Sequence, residues 1–169
     1  MPKLYNVVLN SFNCTAETVA NPNTNKSYYI DWSQKLPQGE YRLSFTFQSE
    51  GNIFQVINTV PVLYSDIVSS SSNTILPQAQ VYNNTQILGC LFPTMIDPNA
   101  HVCYLRGSRD SNPPIHLNNR PFNNLFSVQV YNNDLAPSLW VDETAPTPQS
   151  ISHYILILHF ELIKEYNIH

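Results

Sequence analysis

Any chemistry in this chain has to come from a short roster of side chains. The five histidines are His101, His116, His153, His159 and His169. On a strand, His153 and His159 share a face but stand roughly 20 Å apart at about 3.3 Å per residue, too far to share a metal ion. The carboxylates Glu40, Glu50, Asp66, Asp97, Asp110, Asp134, Asp142, Glu143 and Glu161 fall mostly in or beside turn signals. A solvated loop role suits them better than the paired acids of a glycosidase cleft. Asp142-Glu143 after Trp140 could hold Ca²⁺, yet one acidic pair is a weak signal. Serine is abundant, but no Gly-x-Ser-x-Gly elbow and no local Cys/His signature goes with it. Four scattered glycines leave no loop to cradle a phosphate. The expectation is a protein that is not an enzyme, with no catalytic residue, no cofactor and no metal site.

Cys14, Cys90 and Cys103 form no CxxC and no Cys/His cluster, so they read as reduced, buried thiols. Residues 1–3 lead straight into the strand-like Leu4-Tyr-Asn-Val-Val-Leu-Asn10 without an apolar leader, and the expectation is no secretory signal. The sequons at Asn13, Asn25 and Asn83 then carry no weight. The longest apolar run, residues 154–158, is far too short to span a bilayer.

Aromatic residues allow a different function. Trp32, Trp140, Tyr28, Tyr29, Tyr82 and Tyr131, set among many asparagines, are the types that carbohydrate-binding sandwiches display, because ring faces stack on sugars and amides bond hydroxyls. Cores and edges of β-sandwiches use the same residues routinely, and that reading is favoured. A carbohydrate-binding or host-attachment module is the alternative, and it needs Trp32 or Trp140 exposed on a concave surface.

These residues must be positioned by strands. Residues 36–50 open with a Pro-Gln-Gly turn and then alternate, with Tyr41, Leu43, Phe45 and Phe47 on one side and Arg42, Ser44, Thr46 and Gln48 on the other. A period of two marks a half-buried antiparallel strand. Residues 3–13, 27–32, 53–64 (broken by Pro61), 78–83, 86–92, 101–105, 122–132, 138–141 and 151–163 read as further strands. Gly51-Asn52, Asn83-Asn84, Pro98-Asn99 and Asn132-Asn-Asp134 read as turns. Residues 69–74 read as an exposed serine-rich loop, and 107–121 as a long irregular one. The last strand is apolar on both sides, with Tyr154, Leu156, Leu158, Phe160 and Leu162 opposite Ile155 and Ile157, so both of its faces are expected to be covered, the second by a loop of the same chain or by a neighbouring subunit. No window keeps a helical period, and no helix is expected. The whole chain, 1–169, reads as one all-β domain: a two-sheet antiparallel β-sandwich of single jelly-roll type.

Composition narrows the role. Apolar residues make up 43% and charged residues 12%, against roughly 25% charged in an average soluble domain. So little charge leaves free copies poorly separated in solution, which matters less to a protein packed into an assembly. A net charge of −4 with scattered basic residues argues against nonspecific nucleic-acid binding.

The succession of Tyr5-Asn-Val-Val-Leu-Asn10, Tyr29-Ile-Asp-Trp32 running into Leu36-Pro-Gln-Gly-Glu-Tyr-Arg-Leu-Ser-Phe-Thr-Phe47, Asn112-Pro-Pro-Ile115, Phe122-Asn-Asn-Leu-Phe-Ser-Val-Gln-Val130 and Tyr154-Ile-Leu-Ile-Leu-His-Phe-Glu161 is similar to small capsid-associated proteins of the nucleocytoplasmic large DNA viruses. The resemblance is one of strands and turns and carries no catalytic signature. It implies a single jelly-roll component of an icosahedral virion, a penton-type vertex or minor capsid protein, assembled in host cytoplasm. Implied partners are the major capsid protein, neighbouring minor capsid proteins and further copies of the chain, with no nucleic acid and no membrane span. Leu139, Trp140, Ile155 and Ile157 are the candidate inter-subunit contacts, because aromatic and aliphatic side chains bury large area at interfaces.

Overall fold

The alternation in residues 41–48 becomes β4 (Gly39–Asn52), the strand around which both layers are laid down. In the computed structural model, which describes residues 2–17, 25–52, 62–68, 86–97, 102–131 and 151–166, Tyr41, Leu43, Phe45 and Phe47 are buried, while Arg42 and Gln48 face solvent. Ten other strands accompany it among those residues: β1 (Lys3–Asn10), β2 (Ala16–Glu17), β3 (Asn25–Tyr29), β5 (Val62–Ser65), β6 (Gln86–Cys90), β7 (Phe92–Asp97), β8 (Val102–Gly107), β9 (Ile115–Leu117), β10 (Leu125–Tyr131) and β11 (Ile151–Glu165).

Their pairing is nested. β1 pairs with β11, β3 with β10, β4 with β8 and β5 with β6, all antiparallel. Successive nested pairs go to alternate layers, so one sheet has the order β1-β11-β4-β8-β7 and the other β2-β3-β10-β5-β6. A long antiparallel ribbon rolled into two layers in this way is a jelly roll. The all-β, two-sheet expectation therefore holds, and the strand pairing is what establishes it.

The apolar sides of the sheets meet in one core built around Trp32, Tyr41, Phe47, Phe126, Leu156 and Phe160. A polar tie crosses it: the Tyr28 hydroxyl donates to that of Tyr154 at 2.9 Å, joining β3 of one sheet to β11 of the other. Burial pushes the Tyr28 hydroxyl up to about 12 and that of Tyr154 higher still, so both stay neutral.

A second tie uses Asn112, which is buried in the turn region after β8. Its Oδ1 accepts from the Cys90 N–H at 2.7 Å, and its Nδ2 donates to the Cys90 carbonyl at 3.1 Å and the Ser108 carbonyl at 3.3 Å. Gly89 permits this approach. A Cβ there would overlap the Asn112 Oδ1 and lie 2.7 Å from Phe45 Cε1.

Four local expectations are corrected. A one-turn helix, α1 (Trp32–Lys35), replaces the end of the strand expected over 27–32, with the Asp31 side chain accepting from the Ser33 N–H at its start. One turn is too short to leave a period in the sequence, and Trp32 burial decides it. Gly51-Asn52 is no turn, because β4 continues through both and pairs with Cys103 and Val102. The irregular stretch 107–121 contains β9, three residues that pair with Tyr41, Arg42 and Leu43. Cys14 and Cys90 are free thiols but only partly buried. The expected strands over 78–83 and 138–141, the serine-rich loop 69–74, and the turns at 83–84, 98–99 and 132–134 lie outside the described residues. Among the described residues, no helix is long and apolar enough to cross a membrane.

Candidate functional site

The surface with the most unusual chemistry is the outer face of the six-stranded sheet. Because β1, β11 and β4 lie side by side in continuous register there, their outward residues form rows across the sheet. Leu4, Glu161 and Arg42 make one row, and Asn6, His159 and Ser44 the next. Val8, Ile157 and Thr46 follow, then Asn10, Ile155 and Gln48.

Three of these rows carry apolar groups into solvent, the first through Leu4. Val8 is 61% exposed and Ile155 48%, with Ile157 half-buried between them. Beside that patch, exposed Phe12 stacks on His153 with ring centroids 3.5 Å apart. The inner face of the last strand is core; among the described residues no loop of the chain covers its outer face, where Ile155 stays exposed, which leaves a neighbouring subunit as the other expected cover. Ile155 and Ile157 do lie together, on this outer face. Leu139 and Trp140 lie outside the described residues.

A hydrogen-bond relay links the second row to the third. Thr46 Oγ1 lies 2.9 Å from His159 Nε2, and His159 Nδ1 lies 2.8 Å from Asn6 Oδ1. An amide oxygen can only accept, so Nδ1 carries the proton and Nε2 accepts from the threonine hydroxyl. The order hydroxyl, imidazole, amide is that of a hydrolase triad. Catalysis also requires preorganised donors for an oxyanion and a cleft that excludes water. Thr46 sits mid-strand, beside an open groove of about 490 Å³ lined by Arg42, Ser44, Arg109, Asp110 and Glu161 among others. The relay is better explained as a clasp holding β1, β11 and β4 together. Among the described residues, no three His, Cys, Asp or Glu side chains converge as a metal site would require.

Burial, and then the nearby Arg109 guanidinium, hold the His159 imidazole below its ordinary value of 6.5. The folded protein therefore resists a proton that the unfolded chain accepts. This contribution to stability is complete above that ordinary value and declines as the pH falls through it. Denaturant midpoints should fall between neutral and mildly acidic buffer, and His159→Gln should flatten that slope. An unchanged slope in the variant would remove His159 from the account.

Trp32, proposed for sugar stacking, is 1% exposed; its Nε1 donates to the Asn123 carbonyl at 2.9 Å and its ring packs on Phe126 and Phe160. Tyr28 is buried too, while Tyr29 is exposed beside Leu125, its neighbour across β3 and β10. Sequence reasoning missed Leu4, Asn6, Val8 and Phe12. The signal was present: residues 4–9 carry apolar groups on both sides, as in the last strand, but the strand expected there was given no sides.

Among solved structures, the chain is similar to a chain of desmodium yellow mottle tymovirus, with 12% identity, 100% of this chain and 91% of that one covered, and a TM-score of 0.35. It is also similar to a chain of turnip yellow mosaic virus, with 10% identity, 99% and 98% covered, and a TM-score of 0.29. No protein-family model matches the chain, and no curated protein matches it. The jelly-roll assignment stands on the strand pairing and owes nothing to these likenesses.

Proposed function

We propose that this chain is a non-enzymatic structural subunit of an icosahedral virus capsid. The resemblance read from the sequence refines this to a penton-type or minor capsid protein of a large DNA virus, assembled in host cytoplasm and carried in the virion. Its partners are then the major capsid protein, neighbouring minor capsid proteins and other copies of itself. Jelly rolls serve capsids, lectins and cupins alike, so the fold does not decide among them. The observation that carries the reading is the open outer face, where Val8, Ile155 and Ile157 place aliphatic groups in solvent on a chain with only 12% charged residues. Such a face is costly for a free monomer and useful to a packed subunit. The carbohydrate-binding alternative loses Trp32, which is core.

The double variant Ile155→Lys, Ile157→Lys tests it. Losing two aliphatic contacts should weaken subunit association on the order of a hundredfold, while circular dichroism stays that of the wild type. The readout is incorporation of the purified chain into particles formed with its co-expressed capsid partners. Undiminished incorporation would remove the outer face from assembly, and a wild-type chain that binds glycans but enters no particle would favour the alternative.

A further inference from the structure

β1 is an edge. It pairs with β11 on one side, and no strand of the described residues lies along the other. An edge presents a row of unpaired backbone N–H and C=O groups, and proteins usually blunt it with proline, charge, a bulge or a very short strand. β1 runs eight residues in unbroken register with β11 and carries no charge from Leu4 to Asn10. Its outward residues Leu4 and Val8 are 50% and 61% exposed. Among the described residues the edge is therefore open to a further strand, and the side-chain pattern indicates which strand fits.

Consider two copies of β1 laid antiparallel about a two-fold axis. Outward residues face outward residues only if the axis passes through a residue, since a shift of one position exchanges the faces. With the axis at Asn6, Leu4 lies opposite Val8 of the second copy, and Asn6 lies opposite its own counterpart. On the inner side, Tyr5 then meets Val7. With the axis at Tyr5 or Val7, the Asn6 amide is set against an aliphatic side chain instead. Of these three registers only the first pairs like with like; an axis at Val8 does so too, but it overlaps residues 6–10 alone, against 3–9 for the axis at Asn6.

Asn6 is also chemically half used. Its Oδ1 accepts from His159 Nδ1, and its Nδ2 has no partner among the described residues. Across the axis, each Nδ2 can donate to the other copy's Oδ1, which has a second lone pair to offer. Asn6 is exposed, and water can serve its Nδ2 in the monomer. The symmetric amide pair still favours this register over one that sets the amide against an aliphatic group, as single asparagines do between paired helices.

We propose that two copies of this chain associate through β1, antiparallel, with Asn6 on the two-fold axis, so that one sheet runs through both subunits. The inference goes beyond the capsid reading and stands on β1 alone.

Sedimentation velocity on the full-length protein, from micromolar to near-millimolar concentration, should show a monomer–dimer equilibrium. Opposed Cα atoms in an antiparallel pair lie about 4.5–5.5 Å apart, inside the range of about 4.4–6.8 Å that a disulfide spans. Under mild oxidation, Asn6→Cys should therefore yield a covalent dimer whose linked peptides join position 6 of both copies. Asn10→Cys, on the same face but beyond the overlap, should not cross-link. Val8→Lys should weaken dimerisation on the order of tenfold by replacing two symmetric aliphatic contacts, with its circular dichroism unchanged. A monomer at every concentration, cross-linking at position 10 in place of position 6, or a dimer indifferent to Val8→Lys would each overturn the pairing. A dimer that enters no particle would instead overturn the capsid reading and leave the pairing intact.

Discussion

Trp32→Ala is expected to destabilise the protein by about 4 kcal/mol, the usual range for a large aromatic removed from a packed core being roughly 3–5. The side chain is 1% exposed and touches both layers, packing on Phe126 of β10 and Phe160 of β11. Its indole N–H satisfies the Asn123 carbonyl, which the smaller residue would leave without that partner. It also anchors α1, the single helical turn through which the chain passes from one sheet to the other. Domains of this size have about 5–15 kcal/mol in total, so the loss is a large share. A fall in Tm of about 10 °C is the corresponding thermal signature. A loss below about 1 kcal/mol would return Trp32 to the candidates for a ligand surface.

Asn112→Ala is expected to cost about 3 kcal/mol, although it removes little volume. One side chain satisfies both the N–H and the C=O of Cys90 and reaches the Ser108 carbonyl. Removing it leaves part-buried backbone groups without those partners, each at about 1–3 kcal/mol. Asn112 also joins the layers, since Cys90 ends β6 in one sheet and the 108–112 segment follows β8 in the other. The denaturant midpoint should drop with an unchanged m-value. Amide exchange at Cys90 should accelerate more than at Leu43, deep in β4. Uniform acceleration along the chain would mean a global effect and would deny Asn112 its role as a tie.

Much of the architecture was legible because period-two alternation is a local signal. Tyr41 to Phe47 and Phe126 to Val130 reveal their buried sides without knowledge of any partner strand. The outward pair Ile155 and Ile157 was legible for the same reason. What escaped was short or long-range. α1 and β9 span four and three residues, too few to establish a period, and both are fixed by what they pack against. The relay of Thr46, His159 and Asn6 draws on three strands far apart in sequence, and no spacing rule announces it. The outward side of residues 4–8 was legible but ambiguous, because an aliphatic residue on an edge strand looks the same in sequence whether it is buried or open. Asn112 read as an ordinary loop residue before two prolines. Only the approach of Gly89 shows why an amide is needed there.

The nested pairing has a consequence in the cell. β1 precedes every other described strand in the chain, and its partner β11 follows them all. Contacts so distant in sequence form late and slowly, so the outer face and the β1–β11 ladder cannot be completed until β11 has been made. A chain truncated before β11 keeps β1 but loses the strand that holds β1 in the sheet, and with it the rows of the outer face. The order of the strands thereby makes synthesis of β11 a condition for presenting the outer face at all.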